Sequence, residues 1–437
     1  MTQQSDEDQD RTWGFATRAV HAGARPDPVT GSRAVPIHES TAFVFENADD
    51  AANLFALQKY GTIYSRIANP TVAAFEERMA SLDGGLGAVA ASSGQAAAFL
   101  VFAALTGAGD HIVAGSQLYG GTVNQLNVSL RRFGVSTTFV SSGEPDDFAA
   151  AITDDTKLVF VELLSNPSSE VADIAALADV AHAAGVPLVV DATSATPYLA
   201  RPIEHGADIV VHSATKFIGG HGTTMGGVVV ESGRFDWGNG KFPTMTEPSD
   251  SYNGISWWDN FGEYGFLTKL RSEQLRDIGS CLSATAAFQL LLGLETLPYR
   301  MSAHVAGAQR VAEWLHKDPR VEWVRYAGLP DNPHRDRVRR YLPRGAGSVF
   351  SFGVVGGREA GQRFIESVEL CSHVANIGDA KTLVIHPAST THQQLNDEQL
   401  AAGGVPPDLV RISVGIEDVD DILWDLDQAL TRATKDL

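Results

Sequence analysis

The sequence predicts an α/β protein: a mostly parallel, seven-stranded sheet with helices on both faces, followed by a smaller α+β unit. Two observations predict it. Between about residues 70 and 230, short apolar runs alternate with helix-like segments, the pattern of strands joined by right-handed helical crossovers. Several of those runs are apolar nearly throughout, as strands are when helices cover both faces of a parallel sheet.

In chain order, residues 1–10 are acidic and polar, the opposite of a secretory leader, and are expected to form a tail. Residues 1–68 hold few strand-like runs and many turn residues. They read as an extended arm with a short helix near 51–59. Strands are expected at 88–91, 111–114, 135–140, 157–162, 186–191, 208–212 and 227–231. Helices are expected between them at 95–105, 122–133 and 173–184. Residues 231–265 are rich in Gly, Pro, Trp and Asp without a period. A segment this long reads as an excursion at the surface or over a site. A strongly apolar helical stretch follows residue 280 and runs through 290–294. The C-terminal unit holds strand candidates at 347–352 and 409–414 and a closing amphipathic helix at 419–433. Three parts result: an arm (1–68), a large domain (69–298) and a C-terminal domain (299–437).

Composition narrows the function. The 437 residues are 44% hydrophobic with a net charge of −20, which speaks against nucleic acid or an anionic membrane as partner. No apolar run approaches the roughly 18 residues of a membrane helix. The two cysteines, Cys281 and Cys371, lie in no CxxC motif and form no disulfide framework, as suits a reducing cytoplasm. No internal repeat is evident. His386 and His392 lack an accompanying Cys or acidic cluster, so structural hydrogen bonding is expected of them and no metal site.

The chemistry sits at strand ends. An apolar run, Ile209 to Val211, delivers Lys216 into the segment Ser213-Ala214-Thr215-Lys216 and a cluster of glycines. Another run ends in Asp191, where a buried carboxylate needs a cationic partner. A lysine for an aldehyde and a carboxylate for a ring nitrogen suit pyridoxal 5′-phosphate. Other segments read two ways singly. Ser92-Ser93-Gly94-Gln95 opens a helix as a phosphate cradle or as an ordinary N-cap. In Tyr119-Gly120-Gly121-Thr122 the ring lies over a flat cofactor or packs in a turn. Asn166-Pro167 donates to a phenolate oxygen or is simply a turn. Their shared placement after successive strands favours the cofactor site.

The chain resembles the Cys/Met-metabolism family of pyridoxal phosphate enzymes, which includes cystathionine γ-synthase. The resemblance runs from about residue 13 to 430. It is carried by Tyr64-Ser65-Arg66 with Asn69-Pro70-Thr71, by the Gly94, Tyr119 and Asp191 segments, by Ser213 to Lys216, and by His386 to His392. It implies a fold-type I transferase. Lys216 would bind the cofactor aldehyde and move protons, Asp191 would face the pyridine nitrogen, and Tyr119 would stack on the ring. Gly94, Gln95, Ser213 and Thr215 would hold the phosphate. Tyr64 and Arg66 would reach the phosphate of a neighbouring subunit, so a homo-oligomer, a dimer of dimers, is expected. Arg411 would clamp the substrate carboxylate, aided by Asn166 and by Thr382, where the family more often has Ser. The chain also departs from the family at Ala192, usually Asn, and from its sulfhydrylase branch at Asn253 and Lys381, often His and Arg.

Length, the 231–265 excursion and the Asn376 to Pro387 segment resemble that sulfhydrylase branch. The implied reaction is γ-replacement on O-acetyl-L-homoserine with sulfide or a thiol, in methionine biosynthesis. It would release acetate and give homocysteine or methionine, with Tyr119 or Tyr64 as aid to Lys216. The competing readings are a methionine or homocysteine γ-lyase, a cystathionine γ-synthase, and a non-catalytic scaffold on the same fold.

Overall fold

The structure, a computed structural model, describes residues 13–390 and 405–435. Seven strands form the large sheet: β1 (Gly87–Ala91), β2 (His111–Gly115), β3 (Ser136–Val140), β4 (Thr156–Glu162), β5 (Leu188–Asp191), β6 (Ile209–His212) and β7 (Gly227–Glu231). Their order is β1-β7-β6-β5-β4-β2-β3. All neighbours run parallel except β7, which is antiparallel to both β1 and β6.

Alternation along each strand explains the layers. Val189, Ile209, Val211 and Phe160 point to one face, where the helix Gly94–Leu105 packs. Leu188, Val190, Val210 and Val159 point to the other, against helices Pro70–Asp83, Ile174–Ala183 and Ala284–Leu315. Both sets are buried, so the strand sequences have no polar side to alternate with. Three helices start as side-chain caps dictate: Asn69, Ser93 and Ser283 each accept a backbone N–H of the first turn.

The excursion forms short helices such as Trp257–Phe261 rather than a flap. Its Trp237, Phe242, Met245 and Trp257 are buried against the helix 94–105 face of the sheet. Aromatic packing in place of an apolar period is why no element was legible there.

The C-terminal unit holds a second sheet of β8 (Val321–Arg325), β9 (Val349–Val354), β10 (Ser372–His373), β11 (Leu383–Ile385) and β12 (Leu409–Ser413), in the order β10-β11-β12-β9-β8. The 32-residue helix Ala284–Leu315 links the two units without a break, with Pro298 inside it. The boundary drawn at 298 thus falls within one continuous helix. Residues 122–133 differ from one plain helix too: a turn at Gly120–Asn124 passes into a π-helical stretch, Gln125–Leu130.

Candidate active site

The carboxyl ends of β4, β5 and β6 meet the N-terminus of helix Gly94–Leu105 and strand β12 around one cavity of about 270 Å³. This is where an open parallel sheet leaves room for a ligand. Lys216, Asp191, Tyr119, Asn166 and Arg411 line it, and so do Gly94, Gln95, Ser213 and Thr215.

One end of the cavity is a cradle of small residues. Ser93 caps the helix by accepting the Ala96 N–H (3.1 Å), which leaves earlier N–H groups pointing outward at the positive end of the helix. Gly94 lies so close to Ser213 that a Cβ would sit 2.5 Å from the Ser213 Cβ. The Ser213 N–H donates to Thr193 Oγ1 (2.8 Å), and Thr215 Oγ1 accepts the Gly226 N–H (3.0 Å). The cradle is therefore held both from the segment after β5, through Thr193, and across its own β6–β7 loop, through Gly226.

Two carboxylates stand side by side deeper in. Asp191 and Glu162 are register partners on parallel neighbours β5 and β4, and both line the cavity. Burial pushes the Asp191 carboxyl up, while the Thr193 hydroxyl and its N–H (2.9 Å) pull it back. Burial pushes Glu162 well up, and the Asp191 charge adds to it. Two adjacent acids of this kind do not both ionise readily. Glu162 also accepts the backbone N–H of Tyr119 (2.5 Å), which fixes the start of the Gly120–Asn124 turn. Tyr119 itself is 54% exposed on the cavity wall.

The positive side comes from Lys216 and Arg411. Burial, then the neighbouring Arg411 charge, lowers the Lys216 pKa. Its Nζ donates to Asn376 Oδ1. Burial lowers Arg411 to about 10. The guanidinium donates to the Asn376 carbonyl (3.0 Å) and to Asn166 Oδ1 (3.4 Å). Among the described residues no carboxylate pairs with Arg411, and no lysine or arginine pairs with Asp191.

Three expected residues lie apart from this cavity. Thr382 is fully buried. Its N–H and hydroxyl donate to Glu417 (2.6 and 2.8 Å), and its oxygen accepts the Gly415 N–H (2.9 Å). A hydroxyl so fully used is not available to a substrate, and the structure corrects its expected place in the site. Tyr64 and Arg66 lie at the surface of the arm, the guanidinium 5.4 Å from the tyrosine ring centre. They line a different pocket from Lys216. His386 hydrogen-bonds Ser389 Oγ (2.9 Å) and the Pro407 carbonyl (2.7 Å), while His392 lies outside the described residues. Sequence reasoning assigned no role to Glu162, Thr193 or Asn376. Glu162 carries the same signal as Asp191, an acid ending an apolar run.

The cavity fits pyridoxal phosphate. It offers a cradle open to a phosphate where residue 94 is Gly, a carboxylate that no lysine or arginine pairs with among the described residues, and a lysine amine of lowered pKa lining the same cavity. The profile of the Cys/Met metabolism PLP-dependent enzymes matches residues 16–431. A sulfhydrylase of Fusarium oxysporum f. sp. lycopersici is 52% identical, with 96% of this chain and 98% of the relative covered. The O-acetyl-L-homoserine sulfhydrylase of Leptospira meyeri is 47% identical, covering 98% and 99%. A crystal structure of a putative O-acetylhomoserine (thiol)-lyase from Campylobacter jejuni, which carries N′-pyridoxyl-lysine-5′-monophosphate, superposes with a TM-score of 0.92 at 34% identity, over 96% of this chain and 100% of that one. The chain belongs to the Cys/Met metabolism family of pyridoxal phosphate-dependent enzymes.

Proposed function

We propose that this enzyme carries out γ-replacement on O-acetyl-L-homoserine with sulfide or a small thiol, releasing acetate and giving L-homocysteine, or methionine when the thiol is methanethiol. The observation that carries the reading is Arg411. Among the described residues it is a largely desolvated guanidinium that no carboxylate pairs with, and it shares Asn376 with the amine of Lys216. Such a pair suits an α-amino acid whose carboxylate is bound while its α-proton is moved. The names of the Leptospira and Fusarium relatives support the sulfhydrylase assignment.

Bound in the cavity, pyridoxal phosphate supplies an electron sink for the pair left when the α-proton departs. The Gly94 and Gln95 N–H groups with Ser213 and Thr215 would hold its phosphate, Asn166 its phenolate oxygen, Asp191 its ring nitrogen and Tyr119 its face. Lys216 takes the proton from the substrate Cα and returns protons further along the chain. It must be neutral to do so, and its burial beside Arg411 favours that form. Loss of a Cβ proton to the same amine supplies the electron pair that expels acetate from Cγ as a carboxylate, and the thiolate then adds at Cγ with a proton returned to Cβ, so that a Cγ–S bond replaces the Cγ–O bond. Arg411 holds the α-carboxylate throughout, which fixes Cα and Cβ within reach of one amine.

The arm (1–68), the large domain (69–298) and the C-terminal domain (299–437) act together in a homo-oligomer, a dimer of dimers. In it, Tyr64 and Arg66 of one chain complete a neighbour's phosphate site. The two unpaired cysteines support a cytoplasmic setting.

The test is a substrate panel: O-acetyl- and O-succinylhomoserine, each with sulfide, methanethiol or cysteine. We expect homocysteine and acetate in equal amounts from O-acetylhomoserine and sulfide. Equal turnover with no thiol present would overturn replacement in favour of elimination. A preference for cysteine would point to cystathionine synthesis.

A further inference from the structure

The loop between β10 and β11 is pressed onto the lysine segment. Gly378 sits at φ +75°, and a Cβ there would lie 2.6 Å from the Phe217 nitrogen and 3.0 Å from the Lys216 carbonyl carbon. The loop is pinned on both sides of this contact. The Gly378 N–H donates to Ser413 Oγ (3.0 Å) on β12, and the Ala380 N–H to the Gly220 carbonyl (3.0 Å). This pinning sets Asn376 at the amine. Its side-chain oxygen accepts from Lys216 Nζ, and its backbone carbonyl accepts from Arg411 (3.0 Å). One residue thus touches the proton-transferring amine and the carboxylate-binding guanidinium through two different groups.

We propose that Asn376 is a positioning residue for the free form of Lys216. Its carboxamide oxygen takes one N–H of the amine and aims the nitrogen without adding charge, while its backbone carbonyl orients Arg411. The inference rests on the reading of Lys216 as the proton-transferring group. Neutrality is the point of the carboxamide. Among the described residues, the ionisable groups facing this cavity besides Lys216 are Arg411 from β12, Asp191 from β5, Glu162 from β4, and Tyr119. A further carboxylate in contact with Nζ would stabilise the ammonium and oppose the effect of burial and Arg411.

The test measures the amine itself in the apoenzyme. Limiting acetic anhydride is added across a pH series, and acetylation of Lys216 is followed by mass spectrometry against an exposed lysine. In N376D we expect the labelling midpoint to rise by at least about one pH unit, about tenfold less neutral amine at neutral pH. In N376A we expect no rise. The N376A holoenzyme should lose about tenfold to a hundredfold in kcat with KM for the amino acid within about threefold, because the backbone carbonyl facing Arg411 remains. An N376D midpoint equal to wild type, or an N376A loss that falls on KM as much as on kcat, would overturn the proposal. The labelling result does not depend on which reaction is catalysed. A shifted midpoint in an enzyme inactive on O-acetylhomoserine would sink the substrate assignment and leave Asn376 in its role.

Discussion

At the scale of single residues, the site depends on a few close approaches. Gly94 makes one of them. A Cβ there would meet Ser213 Cβ at 2.5 Å and Ser213 Cα at 2.8 Å, so either the helix start or Ser213 must move. Both are the groups proposed to hold phosphate. Gly94→Ala should therefore weaken binding of pyridoxal phosphate by about tenfold or more. The apoenzyme should melt within a few degrees of wild type, since alanine favours a helix over glycine. Titration of apoenzyme with cofactor, followed by fluorescence, checks this, and unchanged affinity would refute the cradle. Lys216 and Asp191 were legible because a charged residue at the end of an apolar run has few structural explanations, whereas Arg411 was reached only through the family resemblance. Asn376 was not legible, because a neutral amide in a loop carries no such signal and its contact spans 160 positions. Thr382 was misplaced for a related reason: Glu417, the partner that occupies its hydroxyl, lies 35 positions away.

At the scale of elements, helix Ala284–Leu315 ties the two units together through His304. This histidine is fully buried. Its Nδ1 bonds the Val414 carbonyl (2.7 Å), just past β12, and its ring stands edge-on to Phe217, next to Lys216. Burial, opposed only in part by hydrogen bonds, lowers its pKa to about 4. Unfolded histidine titrates near 6.5, so between about 4 and 6.5 the unfolded state binds the extra proton. The stabilisation is complete above 6.5 and is lost as pH falls through this window, up to about 3 kcal/mol. His304→Gln removes that contribution. The stability difference between wild type and variant should shrink from pH 7.5 to pH 5, as read from urea midpoints, and a difference that widens would exclude the assignment. Most strands of the large sheet were readable because burial on both faces leaves a continuous apolar run, whereas β3, at the sheet edge, is half exposed and carries Ser136, Thr137 and Thr138. The short β10 and β11 have two and three residues, too few for a period. β8 is half exposed and polar. Helix Pro70–Asp83 was missed although Asn69 and Pro70 mark its start, because it buries residues such as Glu76, Arg78 and Asp83 that read as surface. The Arg271 guanidinium bonds Glu76 (2.7 Å), and His212 bonds Asp83 (2.9 Å), which offsets the cost of burying those two acids.

At the scale of the whole molecule, the arm carries the most exposed large apolar side chains among the described residues. Val44 is 100% exposed and Tyr60 85% exposed, and Tyr64 and Arg66 line a pocket separate from the Lys216 cavity. Apolar side chains clustered on an extended segment are expected to be covered by a partner. If the partner is a second copy, each site draws Lys216 from one chain and Arg66 from the other. Complementation then gives a numerical expectation. Arg66→Ala and Lys216→Ala homo-oligomers should each be nearly inactive. In a mixed dimer, the site with an intact Lys216 receives an intact Arg66 from the other chain, and the second site lacks both. Equal mixing yields about half mixed dimers with one working site in two, so roughly a quarter of wild-type activity should return. The mixture must be unfolded and refolded together, because subunits that never exchange cannot form the hybrid. Full activity in Arg66→Ala alone would show that the guanidinium serves no site. No recovery on co-refolding, with mixed dimers verified by mass, would show that Arg66 acts within its own chain.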